Sequence, residues 1–179
     1  MRAELDIPPG ATVIGRHGGM DTFNLKICQE AVLQIADVRS DIYFVFMNTE
    51  KFSYENQEWE FRHNIIHCGR CCDPEQVDRF IRTCDAMIHC RKKGEAFGMA
   101  AAEFSMHNKP IFTQGVDMRD GQGAVVHDRL VAKGGDAARF IYRTKNELMH
   151  HLFNFHRRMP GDFSAYAAIV AKLGASRRG

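Results

Sequence analysis

Short apolar runs alternate with amphipathic helical stretches along this chain, and that alternation narrows the fold more than any other feature. "DIYFVFMNT" (41–49) is dense in aromatic and β-branched residues and reads as a strand buried on both faces. "ATVIGRHGG" (11–19), "NIIHCG" (64–69), "AMIHC" (86–90), "KPIFTQG" (109–115) and "ARFIYRT" (138–144) read as further strands. Between them, "DTFNLKICQEAVLQIADVR" (21–39) repeats Phe23, Ile27, Ala31 and Ile35 at helical spacing, with Asp21 or Thr22 as cap. "DPEQVDRFIRTC" (73–84) offers Asp73 as N-cap, Pro74 at the first helical position and an apolar face of Val77, Phe80 and Ile81. An Ala-rich helix follows residue 98, and two more helices are expected over 146–158 and 160–174. Residues 50–63 read as a loop with a helical turn, and 117–137 as loop.

Repeated strand–helix alternation with buried strands predicts an α/β fold: a Rossmann-like, doubly wound parallel sheet with helices on both faces. Such sheets bind ligands at the carboxyl ends of their strands. The distinctive stretches fall there: "GRHGG", "HCGR", "RKKGEAFGM" and "TQG". At 179 residues, with no composition break or internal repeat, the chain fits one domain over 1–179. A formal net charge of +2 builds no strong field, so no nucleic-acid partner is expected. No apolar run approaches the roughly 18 residues of a spanning helix, and the charged, Pro-rich start is unlike a signal peptide. A cytoplasmic setting is expected, with any membrane association made through a partner. Cys68 and Cys71 have metal-ligand spacing, but no second pair accompanies them. Reduced structural thiols are the expected state of the six cysteines, and no metal is expected.

"GEAFGMAAAEF" (94–104) carries the chemistry. A helix N-terminus presents free N–H groups and positive partial charge, which suits phosphate. Gly98 lets backbone approach a ligand, and Phe97, Gly98 and Met99 would supply the amides. Glu95 stands at one end of such an anion and Glu103 at the other, roughly 7 Å of helix rise from Gly98 at about 1.5 Å per residue. Two carboxylates bracketing a diphosphate match a nucleotide sugar, whose hydroxyls flank its phosphates. Arg16, at the end of the first strand, would neutralise those phosphates. Arg91 reads equally as a ligand contact or a solvated side chain. His89 and Cys90 lie in an apolar strand and read as core first.

"GEAFGMAAAEF" resembles the Glu-x7-Glu signature of retaining glycosyltransferases of the GT-B fold, group 1 family. "NKPIFT" is similar to that family's following strand, and "VIGRHGG" to its first; the resemblance covers about residues 11–157. It implies glycosyl transfer with retention from a nucleotide-diphosphate sugar and no further cofactor. It places Glu95, as the catalytic carboxylate, at the transferred sugar and Glu103 at the ribose hydroxyls. It puts the amides of Phe97, Gly98 and Met99 along the diphosphate, Arg16 at the phosphates, and the loop around Cys68 to Arg70, with His67, near the base. The sequence departs from the family where a Lys-Gly pair usually follows the Arg: Asp21 and Thr22 stand there. His17, Gly18 and Gly19 would form an amide-rich turn in its place. The resemblance covers only the C-terminal, donor-binding half of a GT-B enzyme. An N-terminal acceptor-binding domain, in cis or trans, is the implied partner, and the isolated half should be inactive. Phe23, Met99, Met118 and Phe163 are the apolar residues proposed to face it. The last helix would either cross to that partner or pack on its own sheet. The alternative reading is a non-catalytic nucleotide-sugar-binding or regulatory subunit. A dinucleotide-dependent dehydrogenase is disfavoured, since "GRHGGM" lacks Gly-x-Gly-x-x-Gly.

Overall fold

The structure is a computed structural model that describes residues 1–54, 57–58, 62–115 and 125–176. After a short 3-10 turn at Ala3–Leu5, the elements are β1 (Thr12–Arg16), α1 (Lys26–Val38), β2 (Ile42–Phe46), β3 (Ser53–Tyr54), β4 (Gln57–Glu58) and β5 (Ile65–His67). Then come α2 (Pro74–Thr83), β6 (Ala86–His89), α3 (Met99–Met106), β7 (Ile111–Gln114) and α4 (Val125–Lys133). A 3-10 turn at Gly135–Ala138, β8 (Ile141–Tyr142), α5 (Lys145–Asn154) and α6 (Ala167–Ser176) complete the chain.

Six strands form one sheet in the order β5-β2-β1-β6-β7-β8, every pair parallel. Counted along the chain, that order is 3-2-1-4-5-6, the doubly wound arrangement. Because successive strand residues point to opposite faces, the apolar runs split into two layers. Ile14, Phe44, Phe46, Ile88 and Phe112 pack with α1 and α5 residues such as Leu33 and Leu148. Val13, Val45, Met87 and Ile111 pack with Phe80 of α2, Phe104 of α3 and Leu130 of α4. The chain order reverses between β1 and β6, which opens a crevice beyond their carboxyl ends.

Four expectations are corrected. The helix expected over 21–39 begins only at Lys26, with Leu25 as an extended N-cap that makes no side-chain cap bond. Thr22 and Asn24 are held in the loop instead: the Thr22 hydroxyl donates to Gly19 O (2.8 Å), and Asn24 Nδ2 donates to Asp21 O (3.1 Å). Phe23 therefore sits below the crevice on Phe46 and Phe52 rather than on a helix face. The described residues of 50–63 contain the antiparallel β3–β4 ladder, and no helical turn is found among them. Residues 117–137 contain α4, where Val126 and Leu130, one turn apart, are both buried. The last helix starts at Ala167 instead of near 160, because the Asp162 carboxylate accepts from Ser164 N and Oγ and holds the chain in a turn. Asp73 and Pro74 start α2 as expected, with Asp73 Oδ1 accepting from Glu75 N at 3.0 Å.

Candidate functional site

The site grows from two segments that meet at the crevice. On one side, β1 ends at Arg16 and turns through His17, Gly18 and Gly19. Arg16 is only 4% exposed. It donates to the hydroxyls of Thr49 and Thr22 and, at 3.4 Å, to Gly19 O, and it lies 5.4 Å from the Phe23 ring centre. Burial pushes its pKa below the ordinary arginine value, and Cys90, Glu95 and Asp21 act on the charge in the opposite direction. Arg16 thus organises the loop that surrounds it. Gly18 is half-buried and Gly19 exposed, in a turn closed by Thr22 N to Gly19 O (3.1 Å).

On the other side, β6 ends at His89 and the chain turns through Gly94 into α3. Gly98 is the N-cap at φ +76°, and no side chain caps the helix. The first intrahelical bond runs from Ala102 N to Gly98 O, so the N–H groups of Met99, Ala100 and Ala101 lie outside the helical ladder. Phe97 is clamped from beneath. Its carbonyl accepts from Arg129 Nη1 (2.8 Å) and the Tyr166 hydroxyl (3.2 Å), and the Arg129 guanidinium lies over both rings, 4.3 and 4.7 Å from their centres. Met99 is 64% exposed at the mouth of the helix.

Glu95 accepts from Arg91 Nη1 at 2.7 Å, and its other oxygen lies 3.7 Å from His89 Nε2. That second distance exceeds hydrogen-bonding reach, so His89 Nε2 is buried without a hydrogen-bond partner among the described residues, while Nδ1 pairs with the Thr113 hydroxyl at 2.9 Å. Burial alone would raise the Glu95 carboxyl; His89 and Arg91 outweigh it and hold the group below its ordinary range, ready as an anion. Burial likewise pushes His89 down, favouring the neutral ring.

Glu103 sits just over one turn into α3 and faces His17 rather than Glu95. Its Oε2 lies 2.9 Å from His17 Nε2, yet neither atom makes a hydrogen bond in this geometry. The His17 ring stacks on Phe104 (5.9 Å between centres, planes 24° apart) and meets Phe80 edge-on at 6.2 Å. His17 and Glu103 line a cavity of about 330 Å³ between α2 and α3, walled by Pro74, Val77, Ile81 and Met106. Arg70 is exposed on the loop after β5 and makes no ion pair among the described residues. That loop is fixed from β2: Asn48, itself at φ +51°, donates from Nδ2 to Cys71 O and accepts from Cys71 N, both at 2.7 Å.

The fold thus brings Arg16, Arg91, Glu95 and the start of α3 to one crevice, and joins Glu103 to the β1 turn through His17. Phe23 and Phe163 are core residues, Met99 is exposed, and Met118 lies outside the described residues. α6 packs beside α3 of its own sheet layer. Sequence reasoning missed Asn48, Arg129 and the His17–Glu103 contact. Asn48 left one trace, an asparagine closing a strand, where left-handed backbone is common; the other two left none. Among the described residues no group of three His, Cys, Asp or Glu is placed to hold a metal, the six cysteines are free thiols, and no helix is long and apolar enough to cross a membrane.

No family model and no curated protein matches the chain. Solved structures do. HepE of Anabaena, in complex with UDP and glucose, superposes with a TM-score of 0.66 at 12% identity, over 99% of this chain and 50% of that one. The C-terminal domain of LpcC, a glycosyl transferase group 1 family protein from Francisella tularensis, gives 0.62 at 15% identity, over 93% of this chain and 89% of that domain. TarM of S. aureus gives 0.60 at 10% identity, over 92% of this chain and 33% of that one. The chain therefore spans half the length of HepE and a third of TarM, and its six-stranded parallel sheet has the fold of the Rossmann-like C-terminal domain of GT-B glycosyltransferases.

Proposed function

We propose that this chain is the donor-binding half of a retaining glycosyltransferase that takes a nucleotide-diphosphate sugar. The observation that carries the reading is the placement of Glu95 and Glu103 on either side of the uncapped, Gly98-opened start of α3, at the point where the strand order reverses. The diphosphate lies along the amides of Phe97, Gly98 and Met99. Glu95 receives hydroxyls of the transferred sugar, and Arg91, already paired with it, keeps the carboxylate ionised and aimed. Glu103 receives the ribose diol at the mouth of the cavity it lines, and the loop ending at Arg70 borders the base. Arg16 acts from inside its loop, exchanging the Thr22 contact for a phosphate oxygen, and the turn through Gly18 and Gly19 follows that exchange. As the glycosidic bond breaks, charge builds on the leaving diphosphate. The amide dipoles at the start of α3, and Arg16 once the donor is bound, stabilise that charge without further reorganisation. The HepE structure, which holds UDP and glucose on the same fold, supports the ligand class. The acceptor and the opposite wall of the cleft come from an N-terminal GT-B domain, in cis or trans.

Titration calorimetry with the common nucleoside diphosphates and their sugar derivatives tests this. Glu103→Ala should weaken the bare nucleotide by about 1.5–3 kcal/mol, the worth of a hydrogen bond to a charged group. Glu95→Ala should leave the bare nucleotide unchanged and erase the preference for the sugar-bearing form. No heat with any nucleoside diphosphate at millimolar concentration, or equal losses in both variants, would refute the assignment.

A further inference from the structure

The contact between His17 and Glu103 has no structural explanation within the fold. Nε2 and Oε2 are 2.9 Å apart, both buried, and neither completes a hydrogen bond. Buried polar atoms left in this state are rare, and a small rotation of the carboxylate would pair them. The ring cannot make that adjustment, because Phe104 lies against its face and Phe80 against its edge. Glu103 can: its side chain is 40% exposed along the cavity that both residues line. Its buried oxygen faces a fixed donor, and the remainder of the group faces open space.

We infer that His17 is the positioning residue of Glu103. It anchors Oε2 so that the other oxygen is presented to a vicinal diol, and ligand binding completes the Nε2–Oε2 hydrogen bond. The inference rests on the reading of Glu103 as the ribose acceptor. Its physical advantage is preorganisation: a glutamate held before the ligand arrives loses less rotamer freedom on binding. His17 belongs to the β1 turn and Glu103 to α3, so the same contact ties the phosphate-side loop to the diol-side helix. His17 touches no ligand in this scheme and acts only through Glu103.

The test measures selectivity for the diol. The ribonucleoside diphosphate that binds the full chain best is compared with its 2′,3′-dideoxy counterpart, in wild type, His17→Phe, His17→Gln and Glu103→Ala. His17→Phe keeps the aromatic stacking and removes Nε2. It should reduce the ribo-to-dideoxy affinity ratio by about tenfold, one charged hydrogen bond. His17→Gln, which retains an N–H donor, should recover part of the ratio. A wild-type ratio in His17→Phe, or equal loss of both ligands, overturns the inference. Histidine-selective ¹⁵N spectra of the wild type give a readout independent of variant folding: the His17 ring resonance should move with the ribonucleotide and stay with the dideoxynucleotide, and an unmoved resonance overturns it too. A ratio that collapses in Glu103→Ala but not in His17→Phe removes the His17 role alone. A ratio that survives Glu103→Ala removes the diol assignment itself, and the His17 role with it.

Discussion

Replacing Gly98 by alanine separates two reasons for a glycine at the start of α3. From sequence, Gly98 is expected to let a ligand approach the backbone. In the structure it meets a second demand: φ is +76°, and an added Cβ would stand 2.5 Å from Val126 Cγ2 and 3.0 Å from the Tyr166 hydroxyl. A left-handed alanine costs about 1–2 kcal/mol, and forcing a methyl into a packed wall costs about 1–3 kcal/mol more. The reduced freedom of the unfolded chain returns about 0.4–1 kcal/mol. The net loss is about 3 kcal/mol, or about 6–12 °C in Tm for a domain of this size. Gly69 is the internal control. It also has positive φ (+44°), but nothing lies within 4 Å of its added Cβ. Gly69→Ala should therefore cost about 1 kcal/mol and about 2–4 °C. Thermal melts of both variants, followed by circular dichroism without nucleotide, decide the matter. If Gly98→Ala melts within about 2 °C of Gly69→Ala, the Val126–Tyr166 wall does not constrain this position.

Arg129→Ala should lose two cation–π contacts and the hydrogen bond to Phe97 O, together about 2 kcal/mol, lowering Tm by about 4–8 °C in the same assay; an unchanged Tm would mean that the clamp beneath Phe97 contributes nothing. Acidification should destabilise the fold. Burial holds His67, His89 and His151 below the ordinary value of 6.5, so the unfolded chain binds protons first, and stability is complete above about pH 6.5 and falls as pH drops toward the depressed folded values. Melts at pH 7.5 and 5.5 should show a lower Tm at 5.5, with a smaller drop in His89→Gln; an equal or higher Tm at 5.5 would contradict the sign.

The sequence by itself determined the layers. Strands such as 41–49 and 86–90 are apolar on both faces, so they had to lie inside a sheet covered twice, and that pattern is local enough to read residue by residue. It also determined the start of α2, because Asp73 and Pro74 act on their own neighbours, and it marked the Glu95–Gly98–Glu103 segment through its spacing. Tertiary structure decided the rest. The start of α1 moved to Lys26 because Thr22 and Arg16 found each other across a loop, a gain that helix propensity does not weigh. α4 could be recognised only once Val126 had a wall to pack against. Pairing was the least legible part of the site: Glu95 met Arg91 and His89, while Glu103 met His17 from the turn after β1, 86 residues earlier in the chain. Spacing along a helix shows which residues share a face, but the partner on the other side of a crevice is set by strand order, which only the folded sheet decides.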